Sequence, residues 1–245
     1  MEKLKSVLKI HVFPLLAPAI KTVLFGALLF LATEKKSLIL FALFLFLAFY
    51  FYFRKLLEWR KFFYAFLALV FYSLIVINFF NGKVFLAAST VFFALLFFLV
   101  LGIKNFVFIN RETIFSFLYW ALYFVAGIVF FAADKLTSLD LISHSFLIFL
   151  VFYLLLKESL EFLHPDTPRK KRNLLALSAS FLAAQSALII RWLPLGFLNS
   201  AVMTTILIIV LEDLISYHLK GALSRQIIVK NAAVLAILTL LIFLV

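Results

Sequence analysis

The chain has no cysteine, so disulfides, thiolate metal sites and cysteine nucleophiles are excluded. Histidine is scarce. Four residues cannot build an eight-histidine oxygenase cluster. All four lie near the ends of predicted spans, so a haem held by two facing histidines at matched depth is not expected either. Charge is thin at 14% of the sequence, and acids are the rarer sign, 11 against 23 lysines and arginines. Catalytic signatures are missing as well: there is no Gly-x-Ser-x-Gly, no phosphate-binding Walker loop, no His-Glu-x-x-His and no aspartate-rich transferase motif. These absences argue against an enzyme and leave no cofactor and no metal site to expect.

Apolar residues fill the space. They make up 67% of the 245 positions, with 34 phenylalanines, far more apolar surface than one aqueous core hides. The reading is an all-α integral membrane protein, a polytopic helical bundle in the cell membrane. Residues 1–245 form a single transmembrane domain whose first partner is the lipid bilayer. The net charge of +12 is dispersed over short loops and not gathered on one face, so no nucleic-acid partner is expected.

Nine apolar segments of near-spanning length stand out: 13–32, 38–53, 62–80, 84–103, 113–133, 139–156, 173–193, 195–219 and 227–245. The second is short, and Pro14, Pro18 and Lys21 weaken the first. With the amino terminus cytoplasmic, seventeen basic residues fall on the inner side, from Lys3 through Lys230. Five fall outside (Lys35, Lys36, Lys83, Lys135 and Arg191), and Lys21 stays within the first span. Such a bias is what the positive-inside rule demands, and one span more or fewer would scramble it. The carboxyl terminus is therefore expected outside. Residues 1–12 read as an amphipathic piece on the inner surface and, with Lys21 interrupting the apolar run, as a signal anchor. Trp59 and Trp192 mark interfaces, Asn81-Gly82 makes an outer turn, and 137–140 fits a capping box.

The stretch 176–187, ALSASFLAAQSA, contains eight small residues. Ala176, Ser180 and Ala184 form one ridge at four-residue spacing; Ala179, Ala183 and Ala187 form a second. Helices in lipid approach closely where side chains are small, so this helix is expected at the buried centre of the bundle. Ahead of it lies a basic cytoplasmic loop, 157–172. Pro168 is placed to open the helix. Arg169, Lys170, Lys171 and Arg172 then oppose the helix dipole, which suggests a grip on anionic lipid headgroups.

Ionisable groups inside spans are the functional candidates. Lys21 lies about 13 Å into its span, and Glu212 and Asp213 lie about 25 Å into theirs from the other side. A Lys21–Glu212/Asp213 pair at the inner mouth of a polar path is one expectation; a snorkelling lysine beside a shortened span is the plainer alternative. Gln185, Thr204 and Thr205 extend the polar path, or simply tie helices together. Glu158-x-x-Glu161-x-x-His164 has the Glu-x-x-His spacing of di-iron bundles but lacks the second half, and reads as a solvated helix end. Three functions follow. The first is a carrier for a small or lipid-like solute, with Lys21, Glu212 and Asp213 coupling charge. The second is a non-catalytic subunit docking membrane proteins and anionic lipids. The third is a lipid-modifying enzyme around Glu158, Glu161, His164 and Asp213.

Overall fold

The computed structural model describes residues 2–54, 62–79, 82–104, 110–133 and 141–244. Among them run nine helices and no strand: α1 (Glu2–Lys35), α2 (Leu38–Phe53), α3 (Phe63–Phe79), α4 (Lys83–Lys104), α5 (Arg111–Ala133), α6 (Leu141–Leu163), α7 (Arg169–Arg191), α8 (Phe197–Leu219) and α9 (Arg225–Leu244). A chain this apolar satisfies its backbone within each segment, and a helix does so without help from water. Six helical stretches are long and apolar enough to cross a membrane: Leu16–Lys35, Lys83–Lys104, Arg111–Ala132, Arg169–Arg191, Phe197–Leu219 and Arg225–Leu244. Helices α2 and α3 are apolar but shorter, and α6 carries Lys157, Glu158 and Glu161 in its last turns. The architecture is that of a helical membrane protein. Trp59, Asn81, the 137–140 capping box and the side chains of the 1–12 segment lie outside the described residues.

Contacts divide the chain into two compact units, Met1–Leu118 and Tyr119–Val245, the boundary falling inside α5. The first unit is held by aromatic rings. Phe25 of α1 stacks on Phe97 of α4 at 4.2 Å between centroids and meets Phe44 of α2 at 4.9 Å. Tyr52 of α2 stacks on Phe66 of α3, also at 4.2 Å. All five side chains are buried. Aromatic pairs add about 1 kcal/mol each beyond their buried area, so ring contacts fasten four helices to one another.

The second unit is organised by α7, which packs against both α6 and α8. Ala176, Ala179, Ser180, Ala183, Ala184 and Ala187 are all buried, so both small-residue ridges lie in contact. Helices α5 and α8 also approach closely. A Cβ on Gly127 would stand 3.1 Å from the Ala201 backbone and 3.2 Å from its side chain, so any larger residue there would press α8 back by a few tenths of an ångström. Helix α9 hangs on α8, and Asn231 is its one buried side chain among the described residues.

Several helix ends are closed by basic side chains. Lys104 reaches from the end of α4 to the Tyr52 carbonyl of α2 at 2.5 Å, with its ammonium 3.7 Å from the centre of the Tyr52 ring. Arg111 bonds the Ile103 carbonyl of α4 at 3.1 Å. Arg172 bonds the His164 and Pro165 carbonyls beyond α6 at 2.9 and 3.0 Å. The last carbonyls of a helix lack internal partners and carry the negative end of its dipole, so each cation meets both needs at once. Helix α8 ends without such a cation: Gly221 takes φ +67° and lets Ala222 N–H reach the Tyr217 carbonyl.

Candidate functional site: a buried acid and hydroxyl cluster

Polar side chains converge in the second unit where α5, α6 and α8 meet. Tyr119 of α5 donates its hydroxyl to Glu158 of α6 at 2.7 Å. Ser159, the next residue on α6, donates to the Glu212 carboxylate of α8. Tyr119 and Ser159 are fully buried, and Glu158 and Glu212 keep only 8% and 7% of their surface exposed. Successive residues of a helix point about 100° apart; Glu158 therefore turns to α5 while Ser159 turns to α8.

A third hydroxyl is buried on α5 near Tyr119. Tyr123, one turn along α5 from Tyr119, is fully buried and crosses the Tyr119 ring edge-on at 6.2 Å. Its hydroxyl makes no hydrogen bond of ordinary geometry among the described residues. A buried hydroxyl without a partner costs about 1–3 kcal/mol, so its place there needs a reason other than packing.

One turn further along α8, Ser216 meets His164 at 3.1 Å between Oγ and Nε2. Burial, then the charges of Lys220 and Arg172, hold this imidazole below its usual range, so it is neutral at pH 7. Asn231 of α9 donates to Asp213 at 3.1 Å, tying α9 to α8 on the outer side of the cluster.

The residues singled out in the sequence have the following settings within their own units. Glu212 joins the cluster, whereas Asp213, next on the helix, is exposed and paired with Asn231. Lys21 belongs to the first unit, where it is partly buried with its ammonium 5.9 Å from the Phe51 ring centre. Gln185 lies on the exposed side of α7. Thr204 and Thr205 are buried, but each returns its hydroxyl to its own helix, to the Ser200 carbonyl at 3.0 Å and the Ala201 carbonyl at 2.7 Å. Arg169, Lys170 and Lys171 are exposed at the start of α7, while Arg172 is buried and committed to the turn before it.

Glu158 departs from the solvated helix end suggested by its sequence setting. It is buried against Tyr119, and only Glu161 of that pair is exposed. Tyr119 and Tyr123 are not among the residues singled out in the sequence. Their four-residue spacing, which puts two hydroxyls on one helix face, was the available signal. No three acids or histidines among the described residues converge as a metal site, so the Glu-x-x-His spacing finds no second half there. No family model, curated protein or solved structure matches the chain.

Proposed function

We propose that the protein is a carrier for a small or lipid-like solute, driven through ion exchange at the acid and hydroxyl cluster of its second unit. In this reading all nine helices cross the cell membrane, with the amino terminus cytoplasmic and the carboxyl terminus outside, which would place most basic residues on the inner side. The observation that carries this reading is the burial of Glu212 against Ser159. An acid placed within a spanning helix costs about 3 kcal/mol or more, and a well-packed apolar residue commonly matches or exceeds the stability of a buried ionic group. A scaffold gains nothing from it. A carrier does, because an acid whose counter-charge comes and goes can bias two arrangements of the helices around it. Lys21 and Asp213 supply further charge in this scheme, and Arg169, Lys170 and Lys171 hold anionic headgroups.

The missing cysteines make the test direct. Single cysteines are introduced at Thr205, buried here on α8, and at Ala48 in the aromatic core of α2. Sealed vesicles of known orientation are then treated with a membrane-impermeant maleimide. A carrier admits reagent to Thr205→Cys from one side while Ala48→Cys stays protected. Protection of both in a folded protein would replace the carrier with a non-catalytic subunit.

A further inference from the structure

We propose that the first unit carries a binding groove between α1 and α4 that takes one chain of an uncharged acyl-ester lipid, with Thr22 and Thr90 as donors to its ester carbonyl. The site lies wholly within the first unit and does not depend on the carrier reading of the second.

The groove follows from residue size. Gly26 and Ala27 of α1 line one side, and Ala87 and Ala94 of α4 line the other. The two helices come so close here that a Cβ on Gly26 would stand 3.2 Å from the Ala94 Cβ. Larger side chains of the same lining, Val23, Leu31, Val91 and Leu95, stay exposed. The space measures about 610 Å³, within the range of ligand pockets. From Thr22 to Leu31 it follows α1 for about 14 Å, close to half of a hydrocarbon layer roughly 30 Å thick.

Two hydroxyls distinguish this groove from a gap in the packing. Thr33, Thr204 and Thr205 are buried, and each returns its hydroxyl to a carbonyl of its own helix, the common use of threonine inside a span. Thr22 and Thr90 do not. Their hydroxyl oxygens are buried without a hydrogen-bond partner among the described residues, and both residues line the groove. Thr90 keeps only 6% of its surface exposed. Leaving one buried hydroxyl unmet is costly, and here two helices leave one each at the same place. Threonine in a helix has two favoured rotamers, so each hydroxyl can turn to an acceptor laid along the groove.

The lining selects the chemistry of that acceptor. No residue around the groove is charged, so a carboxylate or phosphate would find no counter-charge at a depth where charge is expensive. A carbonyl oxygen is neutral and only accepts. Thr90 lies about 10 Å along α4 from Lys83, and Thr22 lies about 9 Å along its span from Leu16. A phosphate head holds the esters of its lipid at the membrane surface, whereas a diacylglycerol, headed by one hydroxyl, can sink to that depth. A helix from a second copy fits less well. Close helix pairs meet through small residues, and Val23, Leu31, Val91 and Leu95 would hold a body about 10 Å wide off Gly26 and Ala94. A single hydrocarbon chain passes between them.

The experiment is photolabelling of the full chain in phosphatidylcholine nanodiscs. The probe is a diacylglycerol with a diazirine in one acyl chain, and a phosphatidylcholine with the same chain is the control. Label from the diacylglycerol should map to Val91 and Leu95 and fall when unlabelled diacylglycerol is added. Ala87→Phe fills the groove from an exposed position and should cut labelling at least tenfold. Ala27→Phe does so from α1, which keeps the test open if the first variant fails to fold. Thr22→Val with Thr90→Val keeps the shape and removes both donors. Labelling should fall about tenfold, as two modest hydrogen bonds give, while the unfolding midpoint without diacylglycerol holds or rises, since no bond is lost. A lower midpoint would give the hydroxyls a structural partner and overturn their role, as would undiminished labelling of the double variant. Equal labelling by the phosphatidylcholine, or label that persists in the filled variants, would leave surface lipid only. The chain has no cysteine, so disulfide-linked dimers of Val91→Cys would give the groove to a second copy instead.

Discussion

The two units of this chain solve the same packing problem with opposite materials. In the first, rings from α1 to α4 stack on one another, and the buried cation Lys104 is spent on a helix end and a ring face. In the second, small residues of α7 bring helices together, and the buried ionisable groups Glu158 and Glu212 face hydroxyls on neighbouring helices. Lys104 has a structural task that a carbonyl and a ring complete. Glu158 and Glu212 instead each accept a hydroxyl from another helix. A buried charged group therefore signals function only after the structural use of its charge has been accounted for, and in this chain that step separates the units.

The largest effect should come from breaking the close approach in the second unit. Gly127→Leu places a side chain where a Cβ alone would sit 3.1 Å from the Ala201 backbone. Overpacking of this kind costs about 1–3 kcal/mol, occasionally more, and it pushes α5 off α8. The expected result is a large fall in thermal stability in detergent. Next comes Lys104→Met in the first unit. It removes the Lys104 bond to the buried Tyr52 carbonyl, at a cost of about 1–2 kcal/mol, visible in the unfolding midpoint. Glu212→Gln should then lower stability by less than about 1 kcal/mol, since the amide oxygen still accepts from Ser159. A loss as large as that of Lys104→Met would give Glu212 a structural task after all and erase the contrast between the units.

The helices and the small-residue ridges of α7 were legible because they depend on local rules. Backbone in lipid must satisfy itself, and small residues at four-residue spacing lie on one helix face, so Ala176 and Ala183 read as buried before any fold was known. The cluster was not legible. Whether Glu158 meets water or Tyr119 depends on how α6 is rotated against α5, and no residue near Glu158 records that angle. Thr204 and Thr205 were ambiguous for another reason: a threonine hydroxyl satisfied by the carbonyl four residues back has the same sequence as one facing a path. Of the four cations at the start of α7, Arg172 alone turns inward, because its place one turn into the helix brings it back over the carbonyls beyond α6.

The polar edge of the second unit offers a smaller test, through acid. The His164 imidazole is held below its usual range, so the unfolded chain binds this proton more readily than the folded one. By linkage, stability is then full above the unfolded value of about 6.5 and falls as pH drops below it toward the lower folded value. Acidification through that window should loosen the His164–Ser216 contact and the turn that Arg172 closes. His164→Gln should flatten this part of the stability profile measured by thermal unfolding against pH, and an unchanged profile would assign the acid response to another group.

The smallest effect is expected at Thr205, and it sharpens the contrast most narrowly. Thr205→Val keeps the shape and removes a hydroxyl bonded to its own helix at Ala201. Polar ties within membrane helices are worth about 0.6 kcal/mol on average, and one that ends on its own helix fastens no neighbour. The unfolding midpoint should therefore move little. With the midpoint unchanged, buried hydroxyls in this unit divide into those that serve their own helix and those that bond an acid on another helix.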